Sequence, residues 1–173
     1  MASATEFHMV FFPVEERDLA FFRVFLKNPL VTRWLPVNEP CTEEEVRLHH
    51  IRRLEHWEKR GFGTWMLRED GKAAPFGYCG LEHVCDSEFI DLRYGLLPHA
   101  QGKGLALKAS RDVLKKGFSR LGLERIYGAS MHENRASVKI LKDLGMKEDF
   151  RFDLYGENLF CASVDAESFY KTL

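Results

Sequence analysis

The chain has 173 residues, of which 45% are hydrophobic, and its formal net charge is −1. This length and apolar content suit one compact domain with a buried core, which we predict over residues 1–173. Because acidic and basic residues nearly cancel and no lysine- or arginine-rich block occurs, the charge gives no indication of a nucleic-acid partner.

Cysteine usage and hydrophobicity narrow the class of protein further. The four cysteines form no CxxC pair and no zinc-binding spacing, so we expect reduced thiols and no metal site; they are Cys41, Cys79, Cys85 and Cys161. No segment approaches the ~18–20 apolar residues of a membrane span, and the first residues lack the basic region and apolar run of a signal peptide. We therefore expect a cytoplasmic protein with no membrane partner.

The N-terminal third is predicted to be mostly helical. Residues 7–13 read as a short apolar strand, and residues 15–27 carry apolar side chains at helical spacing before Asn28-Pro29 ends that helix. A second helix is predicted to begin after Thr42, which forms a capping box with Glu45, and to end at Gly61.

The remainder alternates predicted strands and helices. Strands are expected over residues 62–68 and 75–81, joined by a turn at Asp70-Gly71. The alternating run over residues 89–97 predicts strand four, which Pro98 ends because proline cannot donate a ladder hydrogen bond. The elements predicted next are a helix over residues 105–120, strand five over 123–131 and parallel to strand four, a helix from Asn134, a strand over 147–155 paired with strand five, and a last strand over 159–164.

The turn after strand four has the character of a phosphate-binding loop. Gly102 and Gly104 remove side chains where the backbone bends, so the N–H groups of residues 101–106 can point outward at the positive end of the following helix. Lys103 adds a formal charge, and the helix dipole contributes roughly 0.3–1 kcal/mol for an anion at such a terminus. This arrangement suits a diphosphate.

Spacing separates the kinds of phosphate-binding loop. A Walker loop requires Ser or Thr after its lysine, whereas Gly104 follows Lys103, and a dinucleotide-binding fingerprint requires Gly or Ala at the position of Leu107. What remains, Gln101-x-x-Gly104-x-Ala106, resembles the Gln/Arg-x-x-Gly-x-Gly/Ala signature of the GNAT superfamily of acyl-CoA-dependent N-acetyltransferases.

A second segment strengthens this resemblance. Asn134-Arg135-Ala136-Ser137, followed by Leu144-Gly145-Met146, is similar to the Asn-x-x-Ser…Leu-Gly-Phe/Met block of the same superfamily. Pro13 after the first strand and Asn28-Pro29 at the end of the first helix resemble the proline positions of its ribosomal-protein N-terminal acetyltransferase branch. The first strand here lacks that branch's arginine.

The resemblance implies a fold and a reaction. The expected fold is α/β (α+β): one domain with a mixed, mostly antiparallel twisted sheet of six to seven strands flanked by helices, in which strands four and five are parallel and splayed. The expected reaction transfers an acetyl group from acetyl-CoA to a primary amine, either a protein N-terminus or a small molecule, by direct attack. The first helices would form the acceptor side, and the acceptor's identity and a homodimer are left open.

The resemblance also implies which residues bind the co-substrate. The backbone of Leu96, near a bulge expected at Gly95, would pair with the pantetheine arm, and its N–H would polarise the thioester carbonyl. The full set of expected cofactor-binding residues is Leu96, Gln101, Gly102, Lys103, Gly104, Leu105, Ala106 and Asn134.

Acid and base catalysis require further groups. Ser137 holds the place of the serine that acts as the acid in the ribosomal-protein branch, with Tyr155 as an alternative, although a hydroxyl at a helix start can equally bond the backbone. The base is chosen among five residues: Asp153 is preferred, then Glu82, and the others are His83, Asp91 and Glu157. The strand-four base of distant relatives falls on Ile90, and Asp91 is expected to point to the opposite face unless a bulge resets the alternation.

Two other functions compete with this reading. A CoA-binding module of the same fold would keep the phosphate-binding loop at Gly102 and Gly104 but would not catalyse acetyl transfer. A nucleotide-phosphate enzyme is the least favoured, because no Mg²⁺-ligating Ser or Thr follows Lys103.

Overall fold

A computed structural model of the chain describes residues 7–36, 38–153, 155–156 and 158–173. Within these ranges the strands are β1 (Met9–Pro13), β2 (Thr64–Glu69), β3 (Gly77–His83), β4 (Ile90–Leu96), β5 (Arg125–Met131), β6 (Lys147–Glu148) and β7 (Leu159–Asp165). They form a seven-stranded sheet in the order β1-β2-β3-β4-β5-β7-β6. All neighbouring strands are antiparallel except β4 and β5, which are parallel as predicted.

Helices cover both faces of this sheet. They are α1 (Leu19–Leu26), α2 (Pro29–Thr32), α3 (Glu43–Arg60), α4 (Leu105–Ser119), α5 (Arg135–Asp143) and α6 (Ala166–Tyr170), with short 3-10 turns at Glu16–Asp18 and Pro98–Ala100. Strand alternation separates two buried clusters. Met66 and Tyr78 join the apolar residues of α1 and α3, whereas Leu67 and Cys79, one residue further along, join those of α4 and α5.

The predicted ends of the long helix are confirmed. The Glu45 carboxylate accepts the Thr42 N–H at 2.7 Å, and the Thr42 hydroxyl accepts the Glu45 N–H at 3.2 Å, which completes the capping box before α3. Gly61 ends the helix with φ at 72°, in the left-handed region. Asn28, predicted only as a helix end, also starts α2, because its side chain accepts the Leu30 N–H at 3.0 Å.

One strand prediction was wrong. Residues 147–155 were expected to form a strand beside β5, but among the described residues of this range only Lys147–Glu148 form a strand, and β7 lies between β6 and β5. The Asp149 side chain accepts the Arg151 N–H at 3.2 Å and its carbonyl accepts the Phe152 N–H at 3.1 Å, so the chain turns away from the sheet. The seven residues of β7 pair along the whole of β5 instead.

The splay between β4 and β5 agrees with expectation. β4 and β5 pair at Asp91 and Tyr127, near the start of each strand. Beyond that point the described residues of the two strands have no backbone pairing with each other, and this leaves a gap between β4 and β5. The bulge expected at Gly95 is absent, because β3 and β4 pair one residue to one from His83 and Ile90 to Gly77 and Leu96.

The described residues were also compared with the requirements of a membrane-spanning helix and of a metal site. None of the helices in the described ranges is long and apolar enough to cross a membrane. The same ranges contain no group of three or more His, Cys, Asp or Glu side chains suited to holding a metal ion.

Candidate active site

The loop that joins β4 to α4 has the backbone conformation that its sequence predicts. Gly102 and Gly104 both have φ at 73°, and Gly104 is the N-cap of α4. A Cβ added at either glycine would meet nothing within 4 Å. These glycines are therefore required by the left-handed backbone and leave the space above the loop open.

The same loop presents unpaired donors. Within the described chain, the backbone N–H groups of residues 102–107 have no protein acceptor, and the first helical bond that leads out of the loop runs from the Lys108 N–H to the Gly104 carbonyl at 3.1 Å. Lys103 is exposed beside them. A row of free N–H groups at a helix N-terminus, with a cation nearby, fits an anionic group such as a diphosphate.

The end of β4 borders on the same loop. The Leu97 N–H donates to the Phe76 carbonyl at 2.9 Å, so the neighbouring Gly77–Leu96 pair is a non-hydrogen-bonded one and the Leu96 N–H and carbonyl are directed into the gap beside β5. The Gln101 side chain donates to that Leu96 carbonyl at 3.0 Å. The Leu96 N–H therefore remains available to an extended chain lying in the gap.

Two hydroxyl groups meet on the α4 and α5 side of the gap. The Ser137 hydroxyl lies 2.6 Å from the Tyr94 hydroxyl, which reaches it from β4. Asn134 is the N-cap of α5, since its side chain accepts the Ser137 N–H at 3.2 Å. Burial raises the pKa of Tyr94 above its usual range, with the hydrogen bond between its hydroxyl and that of Ser137 opposing the shift, so this phenol stays protonated at neutral pH.

Sequence reasoning missed the role of Tyr94. The residue alternates with Leu92 and Leu96 on the face of β4 that packs against α4, where a purely apolar strand would carry an aliphatic side chain. A tyrosine at such a position needs a partner for its hydroxyl, and this need was the available signal.

An ionic network lies on the opposite face of β3 and β4. Arg93 donates from Nη1 to Glu82 at 2.7 Å, from Nε to Asp91 at 3.0 Å, and from Nη2 to the Tyr155 hydroxyl at 2.9 Å. The Tyr155 hydroxyl donates to Asp91, and the Thr64 hydroxyl donates to Glu82. Both carboxylates are buried, with 5% of Glu82 and 3% of Asp91 exposed, so each depends on these partners.

The network shifts the acidity of its members in opposite directions. Burial acts to raise the pKa of Glu82, but the Arg53 and Arg93 guanidinium groups outweigh it and hold that pKa below its usual range. Burial raises the pKa of Asp91 in spite of Arg93. The pKa of the Tyr155 phenol is also raised, by burial and then by the neighbouring Asp91 carboxylate.

The predicted bases divide between this network and its surroundings. Glu82, Asp91 and the alternative acid Tyr155 all belong to the network. β4 has no bulge, and Asp91 points to the face opposite Ile90, as predicted. Asp153 is exposed and makes no side-chain hydrogen bond within the described ranges. Glu157 lies outside the described residues. His83 is bound instead to His56, which accepts the His83 N–H at 3.0 Å.

A cavity of about 280 Å³ lies elsewhere, between β5, β6, β7 and the start of α6. It shares no residue with the loop, the hydroxyl pair or the network. Its charged side chains pair with one another, as in Arg151 with Asp149 at 2.8 Å and Arg125 with Asp165 at 3.4 Å. The cavity therefore gives no reason to move the candidate site.

Removing the central cation of the network should destabilise the protein. We expect Arg93→Met to lower the free energy of unfolding by about 3 kcal/mol, because it removes the cation that is ion-paired with both buried carboxylates. Urea unfolding of the two proteins would measure this difference.

The matched control removes those two charges as well. Arg93→Met combined with Glu82→Gln and Asp91→Asn should recover roughly half of the lost stability, since the remaining groups are neutral. A loss below about 1 kcal/mol in Arg93→Met, with an unchanged denaturant slope, would contradict the assignment of a buried ionic cluster.

Comparison with known proteins agrees with this geometry. A family model described as an acetyltransferase (GNAT) domain matches residues 8–147. Among sequence relatives, the uncharacterized N-acetyltransferase YoaA of Bacillus subtilis is 25% identical over 138 residues, which cover 79% of this chain and 77% of YoaA.

Solved structures share the fold at low sequence identity. The acetyltransferase of Agrobacterium tumefaciens has a TM-score of 0.82 at 19% identity, covering 94% of this chain and 92% of its own. Spermidine N-acetyltransferase of Vibrio cholerae, in complex with CoA and spermine, has a TM-score of 0.74 at 18% identity, with 94% and 98% covered. Ribosomal-protein-S5-alanine acetyltransferase of Vibrio fischeri has a TM-score of 0.72 at 17% identity, with 94% and 95% covered.

The predicted family and fold are confirmed, and the neighbours include a member of the ribosomal-protein branch. Because the family model matches well over half of the chain, this protein belongs to the GNAT family of acetyltransferases.

Proposed function

We propose that this protein transfers an acetyl group from acetyl-CoA to a primary amine, either a protein N-terminus or a small molecule, by direct attack within a ternary complex. One observation carries the proposal: a row of free N–H groups over residues 102–107 lies at the end of a gap between two parallel strands, in a chain of the GNAT family. Residues 1–173 would act as a single domain, and a cytoplasmic location and a homodimer stay predictions.

The fit to acetyl-CoA comes from the geometry of the loop and the gap. Gly102, Lys103, Gly104, Leu105 and Ala106 would hold the diphosphate through their N–H groups, with Gln101 fixing the loop to β4. Leu96 would pair with the pantetheine arm, while Asn134 lies at the start of α5 on the other side. When bound, acetyl-CoA supplies an acetyl thioester.

The hydroxyl pair supplies the acid. The amine nitrogen forms a bond to the acetyl carbon, the bond from that carbon to sulfur breaks, and the sulfur takes one proton while the amine loses one. Ser137 donates a proton to the sulfur, and Tyr94, 2.6 Å away, passes its hydroxyl proton to Ser137. A proton from solvent then restores Tyr94, whose raised pKa favours the protonated phenol. The Leu96 N–H stabilises the negative charge on the carbonyl oxygen.

The ionic network favours Glu82 over Asp153 as the group that takes the amine proton. Glu82 is ionised at neutral pH and lies two residues along β3 from Gly80, which pairs with Arg93. Asp153 stays the alternative. Glu82→Gln should shift the acid limb of the pH profile of kcat/KM, whereas Asp153→Asn should leave that limb in place; the reverse pattern would assign the base to Asp153.

Turnover with a panel of amines tests the function. The protein is mixed with acetyl-CoA and amines of several classes, released thiol is titrated, the acetylated product is identified by mass, and CoA binding is measured separately by calorimetry. We expect both binding and thiol release. Tight CoA binding with no release for any amine would instead support a CoA-binding module, and ATP binding stronger than CoA binding would support a nucleotide-phosphate enzyme.

A further inference from the structure

Arg53 is a buried cation without an ion pair. Only 7% of the residue is exposed, its Nη1 donates to the His49 carbonyl at 2.8 Å, and its Nε has no acceptor within the part of the chain that the structure describes. Arg68 is equally buried, at 5% exposed, and its Nε also has no acceptor, but its guanidinium pairs with Asp18 at 2.9 Å, so the missing ion pair is what distinguishes Arg53. Glu82 is the nearby carboxylate that Arg53 affects most, but its hydrogen bonds go to Thr64 and Arg93, so Arg53 has no direct ion pair within the described residues. A buried guanidinium in this position has N–H groups that a carboxylate from outside the chain could accept.

The guanidinium lies on the acceptor side of the gap. It stands over the ring of Phe22 in α1, 4.5 Å from its centroid, and over that of Tyr78 in β3, at 5.2 Å. The Tyr78 ring in turn lies against Gly95 of β4, where an added Cβ would collide with it and with Phe25. Gly95 precedes Leu96, whose N–H is directed into the gap, so a series of contacts through Tyr78 and Gly95 connects Arg53 with the end of β4 where acetyl transfer is proposed.

The charges around Arg53 disfavour a polycationic acceptor. The two carboxylates on this face, Glu82 and Asp91, are both bound to Arg93, so a second ammonium group would have to compete with that guanidinium for them. At the exposed turn that precedes Arg53, the pKa of His49 is lowered by partial burial and then by Arg53, Arg52 and Arg93. Three arginines therefore contribute positive charge around His49.

We infer that the acceptor is a primary amine that carries a carboxylate, as an α-amino acid does, and that Arg53 binds this carboxylate while the amine faces the thioester. This inference rests on the proposed acetyl transfer and adds the class of acceptor to it. A guanidinium recognises a carboxylate by two parallel N–H···O bonds, which an amide cannot reproduce with the same strength. Arg53 acts here as a specificity-determining residue and takes no part in bond making.

The wild-type enzyme tests the inference without any variant. Each of several α-amino acids is compared with its own carboxamide and with its decarboxylated amine, and spermidine is included. Because the carboxamide has a more acidic ammonium group, kcat/KM is compared over a pH range and referred to the neutral amine. We expect the acid to be preferred on the order of 10- to 100-fold. A preference for the carboxamide or for spermidine would overturn the inference.

Variants of α3 assign the preference to one side chain. Arg53→Gln should reduce the preference for the acid to about threefold or less, Arg53→Lys should keep part of it, and Arg52→Gln, an exposed arginine on the same helix, should keep all of it. A merely structural role would instead lower kcat/KM for acid and carboxamide equally. If Arg53→Gln does not fold, Arg53→Lys and the wild-type panel decide.

Failure of this inference differs from failure of the proposed function. If some amine is acetylated but a carboxylate gives no advantage, the acceptor class is wrong and the acetyltransferase activity stands. If CoA binds and no amine in the panel is acetylated, the proposed function itself is contradicted.

Discussion

We expect Gly104→Asp to bind CoA on the order of 1000-fold more weakly than the wild-type protein. Gly104 is the N-cap of α4 and no atom would meet a side chain there within 4 Å, so the new carboxylate would stand in the space proposed for the diphosphate. Two unit charges about 4 Å apart near a protein surface repel by about 4 kcal/mol, which corresponds to about 1000-fold in affinity. An aspartate N-cap would also compete for the same N–H groups. Calorimetric titration with CoA measures the loss.

Two controls separate charge from backbone strain. Gly104→Asn keeps a residue that tolerates the left-handed region and adds no charge, so we expect CoA affinity within about tenfold of wild type. Gly122→Asp places the same carboxylate at another exposed left-handed glycine, with φ at 65°, beyond the opposite end of α4. It should bind CoA normally. If Gly104→Asn lost as much CoA affinity as Gly104→Asp, charge repulsion of the diphosphate would not be the cause of the loss.

The co-substrate side of the site could be predicted from sequence because its determinants are local. The left-handed backbone at Gly104 and the cap that Asn134 provides for α5 each depend on a few consecutive residues. The capping box of Thr42 and Glu45 is of the same kind. Short-range rules of this sort fix where helices begin and end, and here the helix beginnings are also where the proposed ligand contacts lie.

The side-chain pairs at the site could not be predicted, because they join residues far apart in the chain. Tyr155 reaches Asp91 across 64 residues, and Tyr94 reaches Ser137 across 43. Alternation predicted the face of Asp91, but it did not reveal that Arg93, Glu82 and Tyr155 would meet it there. The strand order failed for a related reason: the local pattern at residues 147–155 did not reveal that β7 would pair along the whole of β5.

The position of the Arg53 guanidinium is another feature that could not be predicted from the sequence. On sequence alone it is one of several arginines on a charged helix, and α3 has both exposed and buried positions along its length. Its burial against Phe22 and Tyr78 depends on the packing of α1 and β3 beneath α3. Specificity for the acceptor therefore had to be inferred from packing, whereas the site for CoA could be inferred from turns.

Loss of the Ser137 hydroxyl should lower turnover by about 100-fold and change CoA affinity by no more than about threefold. General acid catalysis by a positioned group contributes about 100- to 10,000-fold, and water that enters in place of the hydroxyl would recover part of it. The backbone N–H of residue 137 still donates to Asn134 in Ser137→Ala, so the cap of α5 is kept. Steady-state kinetics with acetyl-CoA and the best amine of the panel, beside calorimetry with CoA, would measure both quantities.

Tyr94→Phe decides whether the two hydroxyls act as one donor. The variant keeps the buried ring and removes the partner 2.6 Å from Ser137, so we expect a loss of about tenfold in turnover. If Tyr94 acts only through Ser137, the double variant Tyr94→Phe with Ser137→Ala should be no slower than Ser137→Ala. The loss of Ser137 already removes the group that donates to the sulfur. Ser119→Ala, at an exposed helical serine that bonds only the Lys115 carbonyl, should match wild type. Additive losses in the double variant would mean that Tyr94 serves the fold and that Ser137 donates its proton without it.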